Sequence, residues 1–385
     1  MAKRKAEYKT SETEKPTKKP TKSKNHASIS ICIPSTVISN KNAYNLEQKT
    51  FIVYQIAKAC LIYNVSEIIV INVPEDRKSE EKEEIKEEVK IGNKVVFNEN
   101  ISNNESKSKS EQDDDDAQGD GLLLASLLQF FITPPYLIKT MFSSTLNKKF
   151  KFILNKFKYA FKLPKITTLP FMSNNSVFKD FKEGIIIPRE TPKIKNKKGI
   201  KIKSPHKIKV SKYVNIGESK PLKLNIEREI PIYSRVTVDL KNQTIINPEK
   251  AYGLTGYKSS FGYYVRLINS NQFNKVFTGS PIESGYSKTI FVNCDDYFNK
   301  VDNSGILENL KSIEEDTDLK KDENVLLILG NYNTIQDSFN KDDEKSTIFS
   351  GIDSVLQLFD FKLNIPQGCK IEDSIMISLT KLLNG

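Results

Sequence analysis

Apolar residues recur along this chain with two different periods. Ile29, Ile31 and Ile33 alternate with Ser30 and Cys32, which predicts a strand. Ile52, Ile56, Ala59, Cys60 and Tyr63 follow at helical spacing and mark the buried stripe of a helix. Ile68-Ile-Val-Ile71 has no polar interruption, the pattern of a strand covered on both faces. This β-α-β order predicts a parallel sheet with crossover helices. Leu122 to Phe131 predicts another helix, stopped by Pro134-Pro135, and a basic aromatic stretch runs from Phe150-Lys-Phe152 to Phe161-Lys-Leu-Pro164.

From about Glu183 to Lys288 the pattern turns to short β-type segments separated by turn residues. They are Gly184-Ile-Ile-Ile187, Lys207 to Val210, Arg235-Val-Thr-Val-Asp239 and Gly262-Tyr-Tyr-Val-Arg-Leu267. About five strands with no helix-length pattern predict a small barrel of the OB kind. The β/α pattern then returns with Thr289-Ile-Phe-Val-Asn293, the buried strand Val325-Leu-Leu-Ile-Leu-Gly330 and a final helix marked by Ile371, Ile375, Leu379 and Leu382. The expected organisation is therefore a basic arm (1–27), the first part of an α/β domain (28–182) interrupted by a loop (75–120), an inserted β-barrel (183–288) and the rest of the α/β domain (289–385).

Charge sharpens this division. Residues 1–24 hold nine Lys/Arg against three acids, with Lys3-Arg4-Lys5 and Lys18-Lys19 as clusters, and predict a disordered arm for nuclear import or nucleic acid. Residues 75–120 hold sixteen acids against eight bases, including Asp113-Asp-Asp-Asp116, and predict a disordered acidic loop, with a transient helix over Glu80 to Lys90. Residues 144–224 carry twenty-one Lys/Arg and four acids, a local net of +17. There Lys193, Lys195, Lys201, Lys203 and Lys207 alternate with isoleucine, which gives strands with one cationic face suited to a phosphate backbone. Tyr257, Phe261, Tyr263, Tyr264 and Arg266 are candidates for stacking on bases.

Composition narrows the chemistry. With 38% hydrophobic and 28% charged residues, part of the 385-residue chain is expected to be unfolded and the remainder to form two or three domains. No run of roughly 18 apolar residues exists and the start Met-Ala-Lys-Arg-Lys lacks a secretory pattern, so a soluble intracellular protein without membrane contact is expected. Cys32, Cys60, Cys294 and Cys369 show no CxxC spacing and read as reduced thiols rather than zinc ligands. The two histidines, His26 and His206, lie in polar or lysine-rich stretches, which argues against histidine-based nucleophilic or metal chemistry. Neither GxGxxG after the first strand nor GxxxxGK[ST] is present, so a nicotinamide site and a P-loop are unsupported. The glycine ending Val325–Gly330 and the loop Asn364-Ile-Pro-Gln-Gly-Cys-Lys370 before the last helix are places where bare backbone can hold a small polar ligand.

Eight short stretches in order add a resemblance. Ser30-Ile-Cys-Ile-Pro34, Gln55-Ile-Ala-Lys-Ala59, Glu67-Ile-Ile-Val70, Gln129-Phe with Pro135-Tyr-Leu137, Glu183-Gly184, Gly262-Tyr-Tyr-Val-Arg-Leu267, Ser284-Gly-Tyr286 and Asp373-Ser-Ile-Met-Ile-Ser-Leu379 resemble the SPOUT RNA methyltransferases, in particular the eukaryotic and archaeal branch with an OB-like insertion. The resemblance implies a knotted α/β fold, S-adenosylmethionine held in the knot, a homodimer and RNA, chiefly ribosomal RNA, as substrate. It places the cofactor against Asn293 and Cys294, against Leu329, Gly330 and Asn331, and against Asn364, Ile365, Pro366, Gly368 and Ile371. Lys49 and Lys58 stand where the family tends to have arginines and are the catalytic candidates; Asn331 and Cys294-Asp-Asp296 depart from its pattern.

The expected function is S-adenosylmethionine-dependent methylation of a base in ribosomal RNA, with N3 of a pyrimidine as one target, in the nucleus or nucleolus. The rivals are a non-catalytic RNA-binding ribosome-assembly factor with a degraded cofactor pocket, and a DNA-binding regulator.

Overall fold

The computed structural model describes residues 27–74, 119–172, 179–188, 194–195, 201–202, 209–252, 261–296, 304–313 and 323–384. The expectations for the basic arm, for most of the acidic loop and for Lys193, Lys203, Lys207 and Tyr257 lie outside these residues.

In chain order the strands are β1 (Ser28–Pro34), β2 (Glu67–Asn72), β3 (Phe181–Ile187), β4 (Ile194–Lys195), β5 (Lys201–Ile202), β6 (Val210–Ser211), β7 (Tyr213–Asn215), β8 (Leu222–Lys223), β9 (Ile230–Pro231), β10 (Arg235–Asp239), β11 (Thr244–Ile246), β12 (Tyr264–Asn269), β13 (Lys288–Asn293), β14 (Asn324–Gly330) and β15 (Phe361–Lys362). The long helices are α1 (Leu46–Ile62), α2 (Gly119–Phe131), α3 (Tyr332–Asn340) and α4 (Ile371–Asn384). None of the described helices is long and apolar enough to cross a membrane.

Six strands form one sheet in the order β12-β2-β1-β14-β13-β15, and every pairing in it is parallel. Its central strands β1 and β14 are mostly apolar and almost wholly buried, because apolar cores cover both faces. On β1, Ile29, Ile31 and Ile33 enter the larger core beneath α1, α2 and α4, while Cys32 enters the opposite core with Phe273, Ile335 and Phe339. The alternation read from the sequence was therefore apolar on both sides, with Ser30 also fully buried.

Local signals set the helix ends. The Asn45 side chain accepts from the Gln48 backbone N–H at 2.9 Å and starts α1, and Asn64 at φ +54° turns the chain out after it. Asn331 caps α3 in the same way, accepting from Asn333 N–H at 2.9 Å. The sequence reading missed α3, although Ile335 and Phe339 are spaced one turn apart and both fully buried.

The second sheet is antiparallel, ordered β11-β10-β3-β7-β8, with a small core of its own around Ile186, Val214 and Val238. Two ladders, β4–β5 and β6–β9, accompany it, and Lys195 pairs with Lys201 in the first. One expectation is corrected here. Gly262–Leu267 does not belong to this sheet: β12 lies parallel to β2 at the edge of the large sheet, with Arg266 opposite Ile69. Period-two alternation identifies a strand but not its neighbour, and a lone Glu67 inside an apolar strand required a nearby cation that Arg266 supplies.

A buried ion pair joins neighbouring strands of the second sheet. Glu183 on β3 and Arg235 on β10 meet at 3.2 Å, and Thr237 and Tyr252 donate to the same carboxylate at 2.7 and 2.9 Å. Arg235 also donates to the Ile132 carbonyl beyond α2 at 3.0 Å and lies between the rings of Phe171 and Phe261. Burial pushes the Glu183 carboxyl up, an effect that the Arg235 charge and the hydrogen bonds oppose.

Candidate functional site

Parallel strands leave their carboxyl ends on one side of a sheet, and ligand crevices form there. The turns after β13, β14 and β15 meet at this edge. Cys294 N–H donates to the Gly330 carbonyl at 3.2 Å, and Asp295 N–H to the Cys369 carbonyl at 2.8 Å. Gly368 N–H donates to Asp296 Oδ1 at 3.2 Å, and Asn293 Nδ2 to Asp296 Oδ2 at 2.8 Å. Asn293 Oδ1 accepts from Tyr332 N–H at 3.2 Å, so the first turn also holds the start of α3. The three turns named from the sequence are thus one hydrogen-bonded unit.

Within it the named residues differ in what they present. Gly330 has φ +155°, and a Cβ there would meet Pro34 Cδ and Cγ at 3.3 Å, so the glycine keeps open a narrow cradle between two strand ends. Gly368 turns at φ +78°. The side chains of Leu329 and Ile371 lie wholly in the hydrophobic core, and Ile365 packs against it. Asn364 and Pro366 are exposed; Asn364 donates to Ser312 at 3.4 Å, and its carbonyl accepts from Lys381 Nζ at 2.8 Å. Cys294 is buried, and that burial pushes its thiol well up, so it stays protonated and is no nucleophile.

The sequence reading named Asp295 only within the departing Cys294-Asp-Asp296 and did not single out Asn42 or Glu372. Asn42, in the connection between β1 and α1, donates to Asp295 Oδ2 at 3.3 Å and accepts from Lys370 Nζ at 3.4 Å. Asp295 sits at φ +59°; burial pushes its carboxyl up, against the Asn42 hydrogen bond and the Lys370 charge. Burial likewise raises Glu372, at the first turn of α4. Asn42 and Glu372 line a groove of about 520 Å³ together with Tyr44, with Gln48, Phe51 and Gln55 from the first turns of α1, and with Tyr159 and Lys162 from the basic segment. Such a groove, wide and partly apolar, accommodates a flat ring with hydrogen-bonding edges.

The family model described as "Putative RNA methyltransferase" matches residues 28–382, which take in both sheets and all three turns. The chain belongs to this RNA methyltransferase family. Two Saccharomyces cerevisiae proteins, each named "Putative methyltransferase", are 32% and 30% identical over 92% of this chain, covering 88% and 92% of their own lengths. A mouse protein named "28S rRNA (uridine-N(3))-methyltransferase" is 24% identical over 93% of this chain and 76% of its own.

For a methyltransferase the turns are chemically suitable. Carboxylates at Asp295, Asp296 and Glu372 beside them offset a cationic sulfonium donor. The lysine candidates are placed less favourably for the methyltransferase's chemistry. Lys49 is held by Asp120 of α2 at 2.9 Å with its side chain 11% exposed, and Lys58 is exposed farther along α1; neither lines the groove. Arg266, expected at the RNA surface, is turned into the protein. Its guanidinium donates to Glu67 Oε1 at 2.8 Å, to Val276 O at 3.0 Å, to Lys275 O and to Tyr286, leaving its side chain 13% exposed.

Proposed function

We propose that this methyltransferase transfers a methyl group from S-adenosylmethionine to N3 of a uridine in ribosomal RNA. The observation that carries the reading is the meeting of the turns after β13, β14 and β15 beside an open groove lined by Asn42 and Glu372. The name of the mouse relative supports the target atom.

Asn293, Cys294, Leu329, Gly330, Asn331, Asn364, Ile365, Pro366, Gly368 and Ile371 form the cofactor site, Leu329 and Ile371 acting as the apolar floor beneath the turns. S-Adenosylmethionine supplies an electrophilic methyl group on a sulfonium sulfur. The uridine imide must lose its N3 proton to attack. Glu372, raised by burial and facing the groove, is suited to accept that proton, and Lys162 at the groove wall offsets the charge developing on the ring. Gln48 and Gln55 offer amides to the carbonyl edges flanking N3. The lysines first named, Lys49 and Lys58, then serve α1 rather than the transfer.

The α/β half is read as a knotted SPOUT sheet, supported by the all-parallel strand order and by the last turn being bonded under the β13 turn. The second sheet is read as an OB-like barrel. Its support is Asn225 N–H donating to the Gln243 carbonyl at 2.8 Å, between the segments beyond the two edge strands β8 and β11. A homodimer is the expectation carried by the resemblance to the SPOUT enzymes. The basic arm and the ribosomal substrate of the mouse relative support a nuclear, nucleolar location.

The test is transfer to ribosomal RNA purified from cells lacking the protein, followed by nuclease digestion and mass spectrometry. The expected product is 3-methyluridine at one site. No transfer, together with no heat on titrating S-adenosylmethionine, would replace this reading with the non-catalytic assembly factor.

A further inference from the structure

No Asp or Glu occurs between Asp120 and Asp180, and within this acid-free span the segment Lys148–Lys162 forms a ribbon of short helical turns, Lys148–Phe150, Ile153–Lys156 and Ala160–Lys162. One set of its side chains pins it down. Ile153, Phe157 and Ala160 are buried, and Phe157 packs at 4.8 Å from Phe142 and 4.9 Å from Phe130 of α2. The other set faces water: Lys148, Lys149, Lys151, Lys156, Lys158 and Lys162 are all exposed, and no ion pair holds any of them among the described residues. Phe152 is 53% exposed, and Phe161 is 57% exposed with its ring also packed against Phe130 of α2 at 5.0 Å. Lys151 lies 5.0 Å from the Phe152 ring centre, and Lys158 and Lys162 lie 4.9 and 5.3 Å from that of Tyr159.

We propose that this ribbon is a binding surface for single-stranded RNA and that it feeds the acceptor nucleotide into the groove. The proposal takes from the functional reading only that the polynucleotide is RNA. Lysines without acidic partners attract phosphates, and exposed rings gain free energy only from bases that are themselves unstacked. An acidic protein partner would satisfy the lysines but leave the exposed Phe152 ring without a purpose. The ribbon also ends where it is needed, since Tyr159 and Lys162 line the same groove as Asn42 and Glu372. The ribbon lies outside the inserted sheet, so RNA binding does not depend on the lysine-faced strands alone.

The test uses the full chain and fluorescence anisotropy with a short labelled single-stranded RNA across a salt series. Lys148→Gln, Lys149→Gln, Lys151→Gln and Lys158→Gln together should lower the slope of log affinity against log salt by about 3, at about 0.7 for each single-strand phosphate contact. Phe152→Ala should weaken binding about fivefold or more with the slope unchanged, the signature of lost stacking. Both variants should keep the wild-type melting temperature and S-adenosylmethionine affinity. An unchanged slope in the folded quadruple variant, while wild type binds RNA, would overturn the ribbon alone and leave the methylation reading standing. Poly-glutamate displacing RNA from the wild type as effectively as unlabelled RNA would overturn it in favour of an acidic protein. Wild type that binds S-adenosylmethionine but no RNA would overturn both.

Discussion

Arg266 Nε donates to Glu67 Oε1 at 2.8 Å, joining neighbouring parallel strands whose residues stand 199 positions apart in the chain. Tyr286 closes the arrangement by donating to Glu67 Oε2 at 2.8 Å. The pair fixes where the chain re-enters the large sheet after its long excursion through the antiparallel one. Its side chains are 13% and 2% exposed, so removing one partner strands the other in a medium that does not solvate it.

Glu67→Gln is accordingly expected to destabilise the protein by about 3–5 kcal/mol, the range for breaking a buried pair. Urea unfolding followed by circular dichroism measures this. A double variant, Glu67→Gln with Arg266→Met, should recover part of the loss, because no uncompensated charge is left behind. A loss in the double variant equal to the sum of the losses in Glu67→Gln and in Arg266→Met alone would show that the pair is not coupled.

At the cofactor turns the decisive residue is Gly330. Its φ of +155° and the 3.3 Å approach of Pro34 leave little room for a side chain. Gly330→Ala should therefore store about 1–3 kcal/mol of local strain and weaken S-adenosylmethionine binding by roughly tenfold or more. Isothermal titration reads this directly. Gly285, at φ +69° with open space around its Cβ position, is the control: Gly285→Asn should leave cofactor affinity unchanged.

Much of the α/β half was legible because burial on one or two faces leaves a period in the sequence, as at Ile29–Ile33, Ile68–Ile71 and Ile371–Leu382. The three turns were found through resemblance, and their glycines gave a physical reason for it. What stayed hidden were relations between distant residues. Nothing in Gly262–Leu267 says that its neighbour is β2, and nothing near Asn42 says that it reaches Asp295. The lysine candidates failed to reach the groove for a related reason. Position 49 on α1 faces α2 and Asp120, one residue round from Gln48, which does line it.

Lys49 therefore gives a prediction opposite to a catalytic role. Lys49→Ala removes an ion pair that is largely enclosed and should lower the melting temperature by a few degrees, on the order of 1 kcal/mol. Turnover measured below that transition should stay near wild type. A fall in kcat of tenfold or more at unchanged melting temperature would return Lys49 to the reaction.

Glu372 carries the pH dependence. Its folded carboxyl is raised, chiefly by burial, with Asp373 adding to the rise and Lys370 opposing it; Asp295 adds a further, smaller rise. The other ionisable groups facing the groove are Glu47, Lys162, Tyr44 and Tyr159. A proton acceptor works only when ionised, so kcat should climb as pH rises through the raised value and level off above it. The stability effect has the opposite sign. Above the ordinary carboxylate range the unfolded chain holds Glu372 ionised at no cost while the folded chain resists ionising it, so this group's contribution to stability falls as pH rises. Glu372→Gln should remove that acid limb and lower kcat by about a hundredfold, within the range for a general base, with S-adenosylmethionine affinity little changed. It should also flatten the stability profile over the same pH interval. An acid limb that persists in Glu372→Gln with wild-type kcat would assign proton removal to another group.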